Sequence, residues 1–112
     1  MSTPVNNNFL DLSGRTVIVS GAAGGGIGTS VTRMVAQAGA TVVAVSRSPE
    51  NLGKHIEPMA AEGLSVVPVA ADASTDEGIA TALEAARRTG GALYGLVNVA
   101  GGAAPATWMP ST

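Results

Sequence analysis

The 112-residue chain contains no cysteine, a single lysine, a single histidine and few charges of either sign. Without cysteine it forms neither disulfides nor thiolate metal sites, and His55 has no second histidine with which to make a metal pair. Charged residues make up 12% of the chain and the net charge is -2, so there is no basic stripe of the kind that binds nucleic acid. Met1 to Asn8 lack both the basic and the apolar regions of a secretory leader. No apolar run approaches the roughly 18 residues that a membrane helix needs. A soluble, cytoplasmic protein is therefore the expectation. What is abundant is apolar residues, at 46%, and glycine, at 15 residues, which together imply a buried core in one small domain or in part of a larger one.

Five of the glycines fall in Ser20-Gly21-Ala22-Ala23-Gly24-Gly25-Gly26-Ile27-Gly28. Residues 1–9 are polar and aperiodic, and read as a flexible arm. Thr16-Val17-Ile18-Val19 is a β-branched run without polar alternation, the pattern of a strand covered on both faces of a parallel sheet. The stripe Ile27, Val31, Met34, Val35 and Ala38 predicts a helix with those residues inward, ended by Gly39. Thr41 to Val45 predicts a second strand, and Ser48-Pro49 opens a helix with Leu52, Ile56 and Met59 inward that Pro58 should kink or end early. Ser65 to Val69 predicts a third strand, which Pro68 places at a sheet edge or demotes altogether.

Ser74-Thr75-Asp76-Glu77 reads as a capping box with Ser74 as the cap, opening a helix with Ile79, Ala82, Leu83 and Ala86 inward and Arg87 and Arg88 near its negative end. Gly90 and Gly91 stop it, and Leu93 to Val99 is a fourth strand. Ala100 to Thr112 has no regular period. The order β-α-β-α-β-α-β with short connections requires right-handed crossovers. The expected fold class is therefore α/β, a Rossmann-type parallel sheet with helices on both faces and strand order 3-2-1-4.

A strand, a glycine turn and a helix in succession make a cradle for a pyrophosphate, because glycine lets the phosphate approach the amides at the helix N-terminus. Candidate cradle residues are Ser20, Gly21, Gly24, Gly25, Gly26, Ile27 and Gly28. A ribose-recognition residue is expected about 20 residues further on, at the end of the second strand. Ser46 and Arg47 stand there, eighteen and nineteen residues after Gly28. An acidic residue would accept from a ribose 2'-hydroxyl and repel a 2'-phosphate, whereas Arg47 offers a forked donor suited to phosphate. NADP(H) is thus the expected cofactor, with NAD(H) as the alternative.

Ser20 to Gly28, Asp72 within Ala71-Asp72-Ala73, and Asn98-Val99-Ala100-Gly101 together resemble the short-chain dehydrogenases/reductases. Gly26-Ile27-Gly28 matches the end of the family's TGxxxGxG motif, with Ser20 in place of its threonine. Asp72 matches the aspartate that contacts the adenine ring, flanked by Ala71 and Ala73. Asn98, Ala100 and Gly101 match three positions of the NNAG motif on the adenosine side. The resemblance covers residues 10 to about 102 and implies a dinucleotide-binding half-domain over 10–102, followed by a substrate-loop start or tail over 103–112. It further implies hydride transfer between a nicotinamide and a small carbonyl or alcohol substrate, in a protein that forms homo-oligomers.

Two positions depart from the family pattern. Gly21 to Gly26 is a step of five where the family has four, and Val99 replaces the second asparagine of NNAG. The family's catalytic serine and YxxxK pair lie beyond NNAG, and no catalytic residue is assigned here: Tyr94 falls within a strand and the single lysine is Lys54. The chain is accordingly expected to be an inactive N-terminal portion of a longer reductase. Trp108 and Met109 would lie in the substrate loop or pack in the tail. Two rival readings are a non-catalytic nucleotide-binding module or sensor on the same half fold, and a chain that works only with a second chain supplying further strands.

Overall fold

A computed structural model of the chain describes residues 11–99. The arm at 1–9, Ala100, Gly101 and the segment 103–112 with Trp108 and Met109 lie outside the described residues. The elements are β1 (Arg15–Ser20), α1 (Ile27–Gln37), β2 (Thr41–Ser46), a helical stretch α2, β3 (Val66–Ala70), α3 (Asp76–Arg88) and β4 (Ala92–Asn98). Within α2, Pro49–Asn51 leads through a π-helical turn at Leu52–Ile56 into Glu57–Ala61. All neighbouring strands pair in parallel, in the order β3-β2-β1-β4.

The sheet is buried on both faces at its centre because β1 and β2 carry small β-branched residues on both sides. Val17, Val19, Val42 and Ala44 pack with Leu52, Ile56 and Met59 of α2 on one face. Ile18, Val43 and Val45 pack with Ala82 and Ala86 of α3 on the other. Each valine or isoleucine fully removed from water contributes about 1.5–3 kcal/mol. Pro68 sits on the outermost strand, opposite Ala44, where its missing N–H costs no pairing with a further strand. The β1–β4 ladder shifts register between Thr16 and Val17, which leaves Tyr94 out of the pairing with its ring 4.7 Å below the Arg15 guanidinium carbon.

Four local expectations are corrected. In α1 the buried residues are Gly28, Thr32 and Ala36, while Ile27 and Met34 are 72% and 59% exposed. Val31 and Val35 pack against the core as expected, the small residues beside them approach the sheet most closely, and Thr32 is accommodated by donating to the Gly28 carbonyl at 2.9 Å. In α3, Gly78, Ala82 and Ala86 are buried, whereas Ile79 and Leu83 are exposed on the side that faces β4. Thr75, not Ser74, caps α3: its hydroxyl accepts from the Gly78 amide at 2.9 Å. Of the two outcomes expected of Pro58, an early end of α2 is not seen; the Glu57 amide reaches back five residues to Leu52, and this wide turn contains Lys54, the residue whose carbonyl the proline ring would otherwise crowd.

Candidate functional site

The C-terminal ends of the four parallel strands converge on a cleft of about 530 Å³ lined by Ser20, Gly21, Gly24, Ser46, Arg47, Asp72 and Asn98. Ligands of open α/β sheets bind at this end, where the strand order reverses between β1 and β4. A larger open groove of about 730 Å³ lies between β3 and α3, but its charged groups, Glu84 and Arg88, already pair with each other at 3.4 Å. The cleft at the strand ends is the better site, because it gathers polar groups from separate elements.

The glycine turn forms one wall. Gly21 adopts φ +75°, and its amide and that of Ala22 both donate to the Val45 carbonyl, at 3.0 and 3.2 Å, which ties the turn to the end of β2. A Cβ on Gly28 would overlap the Gly21 carbonyl, so α1 starts against the turn with backbone touching backbone. A Cβ on Gly24 or Gly26 would meet nothing within 4 Å, so both face open space. α1 begins at Ile27 with no side-chain cap and no acidic residue in its first turn. Among the described residues, the Ile27 and Gly28 amides have no acceptor. An uncapped positive helix end beside bare backbone fits an anionic group.

The additional residue of the turn is absorbed before the helix starts. Gly25 adopts φ +83°, and its Cβ position would lie 3.2 Å from Nε2 of His55. Its amide donates to the Thr29 hydroxyl at 2.9 Å, and that hydroxyl donates to the Ala22 carbonyl at 2.8 Å. Thr29 carries no signal in the sequence pattern, since a threonine within a helix reads as neutral.

The opposite wall carries the charged groups. Arg47 is exposed at the end of β2, and Ser46 accepts from the Ser48 amide at 3.1 Å. Asp72 follows β3; its Oδ1 accepts from the Ser74 hydroxyl at 2.6 Å and the Ser74 amide at 2.9 Å. These two hydrogen bonds hold its carboxyl below the usual aspartate range, and the positive charge of Arg47 acts in the same direction. Ala71 and Ala73 flank it in the cleft. Asn98 accepts from the Ser20 hydroxyl at 2.6 Å, and the Val99 amide donates to the Ser20 carbonyl at 3.1 Å, so β4 is clamped to the start of the turn. Val45, Ser48, Asn51, Ser74 and Val99 also line the cleft. Of these, Asn51 gave no sequence signal, because it is contributed by the first turn of α2 rather than by a strand end.

The structure thus brings together the candidates Ser20, Gly21, Gly24, Ser46, Arg47, Ala71, Asp72, Ala73 and Asn98 around one cleft. Gly25 turns aside to His55, while Gly26, Ile27 and Gly28 form the helix start at its edge. Among the described residues no cluster of three metal-ligating side chains occurs, and no helix is long and apolar enough to cross a membrane.

The family model of the short chain dehydrogenases matches residues 15–110. A short chain dehydrogenase of Pseudocercospora fijiensis is 34% identical over 90 residues, covering 80% of this chain and 29% of that protein. A short-chain type dehydrogenase/reductase from Mycobacterium ulcerans superposes with a TM-score of 0.73 at 31% identity, covering 83% of this chain and 34% of that one. The L-sorbose reductase of Gluconobacter frateurii, solved in complex with NADPH and L-sorbose, superposes with a TM-score of 0.73 at 31% identity, covering 82% and 35%. The chain spans about a third of the length of these relatives. With a matched region that contains all four strands, the glycine turn and the cleft, the chain belongs to the short-chain dehydrogenases/reductases, a family of NAD(P)-binding oxidoreductases.

Proposed function

We propose that the cleft holds the adenosine and pyrophosphate portion of NADP(H), and that the protein belongs to a reductase acting on a small carbonyl or alcohol substrate. The observation that carries this reading is that Gly24 of the turn and Arg47 line one cleft, the turn leading directly into an uncapped start of α1. The Ile27 and Gly28 amides would meet the pyrophosphate, and Arg47 with Ser46 the 2'-phosphate. Asp72, kept ionised by Ser74, would accept from the adenine amino group, and Asn98 would line the ribose side. When bound, the nicotinamide supplies the hydride chemistry; the residues described here bind and orient the cofactor. No lysine follows Tyr94, so the catalytic serine, tyrosine and lysine of the family are not assigned to this sequence and the chain by itself should not turn over.

Calorimetric titration with NADPH and NADH tests the cofactor choice, with tighter NADPH binding expected. A charge-assisted hydrogen bond contributes about 1.5–3 kcal/mol. Arg47→Asp should therefore weaken NADPH by roughly ten- to a hundredfold and leave NADH much less affected. Equal or tighter NADH binding by the unaltered chain would overturn the assignment of Arg47. Oxidation of an alcohol by the chain without any added protein would overturn the reading that it lacks the catalytic groups.

A further inference from the structure

Resting on the cofactor reading above, we infer that Thr29 is a positioning residue that allows the glycine turn to carry one residue more than the family pattern while leaving the helix start in place. Gly21 and Gly28 still meet backbone to backbone, although the path between them is one residue longer. The surplus must therefore leave the short route, and Gly25 is where it does so. Gly25 adopts a positive φ, a Cβ on it would lie 3.2 Å from Nε2 of His55, and its amide is taken by the Thr29 hydroxyl at 2.9 Å. The same hydroxyl donates to the Ala22 carbonyl at 2.8 Å, so one side chain closes both limbs of the turn.

The arrangement resembles the return half of a capping box. Thr29 is the third residue of α1, from which a side chain ordinarily reaches back to the amide of the capping residue; here it reaches one residue further, to Gly25. The consequence for the cleft is selective. The Gly25 amide is occupied within the protein, whereas the Ile27 and Gly28 amides have no acceptor among the described residues. Thr29 thereby sorts the amides of the turn into those that hold the turn and those that remain for an anion. His55 supplies the surface on which the surplus residue rests. The lone histidine and Gly25 thus lie side by side at the point where the turn carries its surplus residue.

Hydrogen exchange of the Gly25 amide, followed by NMR on the whole chain, tests the staple without any cofactor. Thr29→Val keeps the shape and removes the hydroxyl; Thr29→Ser keeps the hydroxyl. Losing one hydrogen bond should speed Gly25 exchange by roughly fivefold in Thr29→Val, with the Val19 and Val43 amides unchanged and Thr29→Ser close to the unaltered chain. NADPH should bind roughly fivefold more weakly to Thr29→Val and recover in Thr29→Ser. Deleting Gly25 restores the family spacing, and in that background Thr29→Val should change NADPH affinity by less than about twofold, the usual limit of additivity. Unchanged Gly25 exchange in Thr29→Val, or the same loss of affinity in both backgrounds, overturns the inference. Failure of the unaltered chain to bind NADPH would overturn the cofactor reading instead, and Gly25 exchange would still decide the staple.

Discussion

Replacing Gly28 by alanine sets two backbone effects against each other. Gly28 lies in the first turn of α1, and alanine is favoured over glycine in a helix by up to about 1 kcal/mol. Against this, the new methyl would overlap the Gly21 carbonyl oxygen and sit 3.2 Å from the Ala22 Cα. Both neighbours are backbone, held by the hydrogen bonds of Gly21 and Ala22 to Val45, so no rotamer change relieves the clash. Overpacking costs about 1–3 kcal/mol where side chains can adjust, and here the upper end applies. The net expectation is a loss of about 2 kcal/mol, a large share of the 5–15 kcal/mol that holds a typical domain. Gly53, in the π-helical turn, is the control: a Cβ there meets nothing within 4 Å, so Gly53→Ala should gain up to about 1 kcal/mol. Urea unfolding of the two variants beside the unaltered chain measures both, with unchanged slopes and midpoints moving in opposite directions. A Gly28→Ala midpoint at or above that of the unaltered chain would refute the close approach of α1 to the turn.

Three further outcomes follow from contacts around the cleft. Gly78→Ala would drive a methyl into the Asp72 carbonyl, so it should destabilise by about 2 kcal/mol for the same reason and disturb the Asp72 resonances in an NMR titration. Asp72 has a lowered pKa in the folded chain, so its hydrogen bonds with Ser74 stabilise the fold above the ordinary aspartate range and are lost as pH falls through the lowered value. Ser74→Ala should therefore be less stable than the unaltered chain at neutral pH, with the gap closing as the pH is taken below about 4; a gap that persists in acid would refute the assignment. Glu62→Gln breaks the two-pronged contact with Arg33, at 2.7 and 3.1 Å, between α1 and the end of α2. Since both side chains are exposed, the loss should be small and should disappear in high salt.

The sheet was legible because Val17 to Val19 and Val42 to Val45 are continuous apolar runs with only one plausible environment, and because Pro68 can sit only at an edge. The helix faces were legible in part: Leu52, Ile56 and Met59 of α2 and Ala82 and Ala86 of α3 are buried as expected, but Ile27, Met34, Ile79 and Leu83 are not, since a hydrophobic period weighs a large side chain above a small one. In α1 the close approach at Gly28 centres Thr32 and Ala36 on the sheet with Val31 and Val35 packed beside them, while Ile27 and Met34 point outward. The cap of α3 was misplaced by one residue because Ser74 and Thr75 are both good caps. Asp72 decides between them by taking the Ser74 hydroxyl, and Thr75 then accepts from Gly78. At the site, glycines and strand ends were readable from spacing. Asn51, which lines the cleft, and Thr29, which ties the turn, were not, because each is contributed by a helix whose orientation the sequence does not display.

With aromatic residues at only 3% of the sequence, the site is not shaped by large side chains. Its precision comes from backbone meeting backbone: α1 on the turn at Gly28, the turn on the end of β4 at Gly21, and α3 on the segment after β3 at Gly78, each a place where a Cβ would overlap a carbonyl. Small hydroxyl and amide groups then fix what glycine leaves free, through Ser20 with Asn98, Ser74 with Asp72 and Thr29 with Gly25. Such contacts define position tightly while burying little apolar area. The affinity of the cleft should therefore be more sensitive to adding a methyl at Gly21, Gly28 or Gly78 than to removing one from the exposed Ile27 or Met34 beside it.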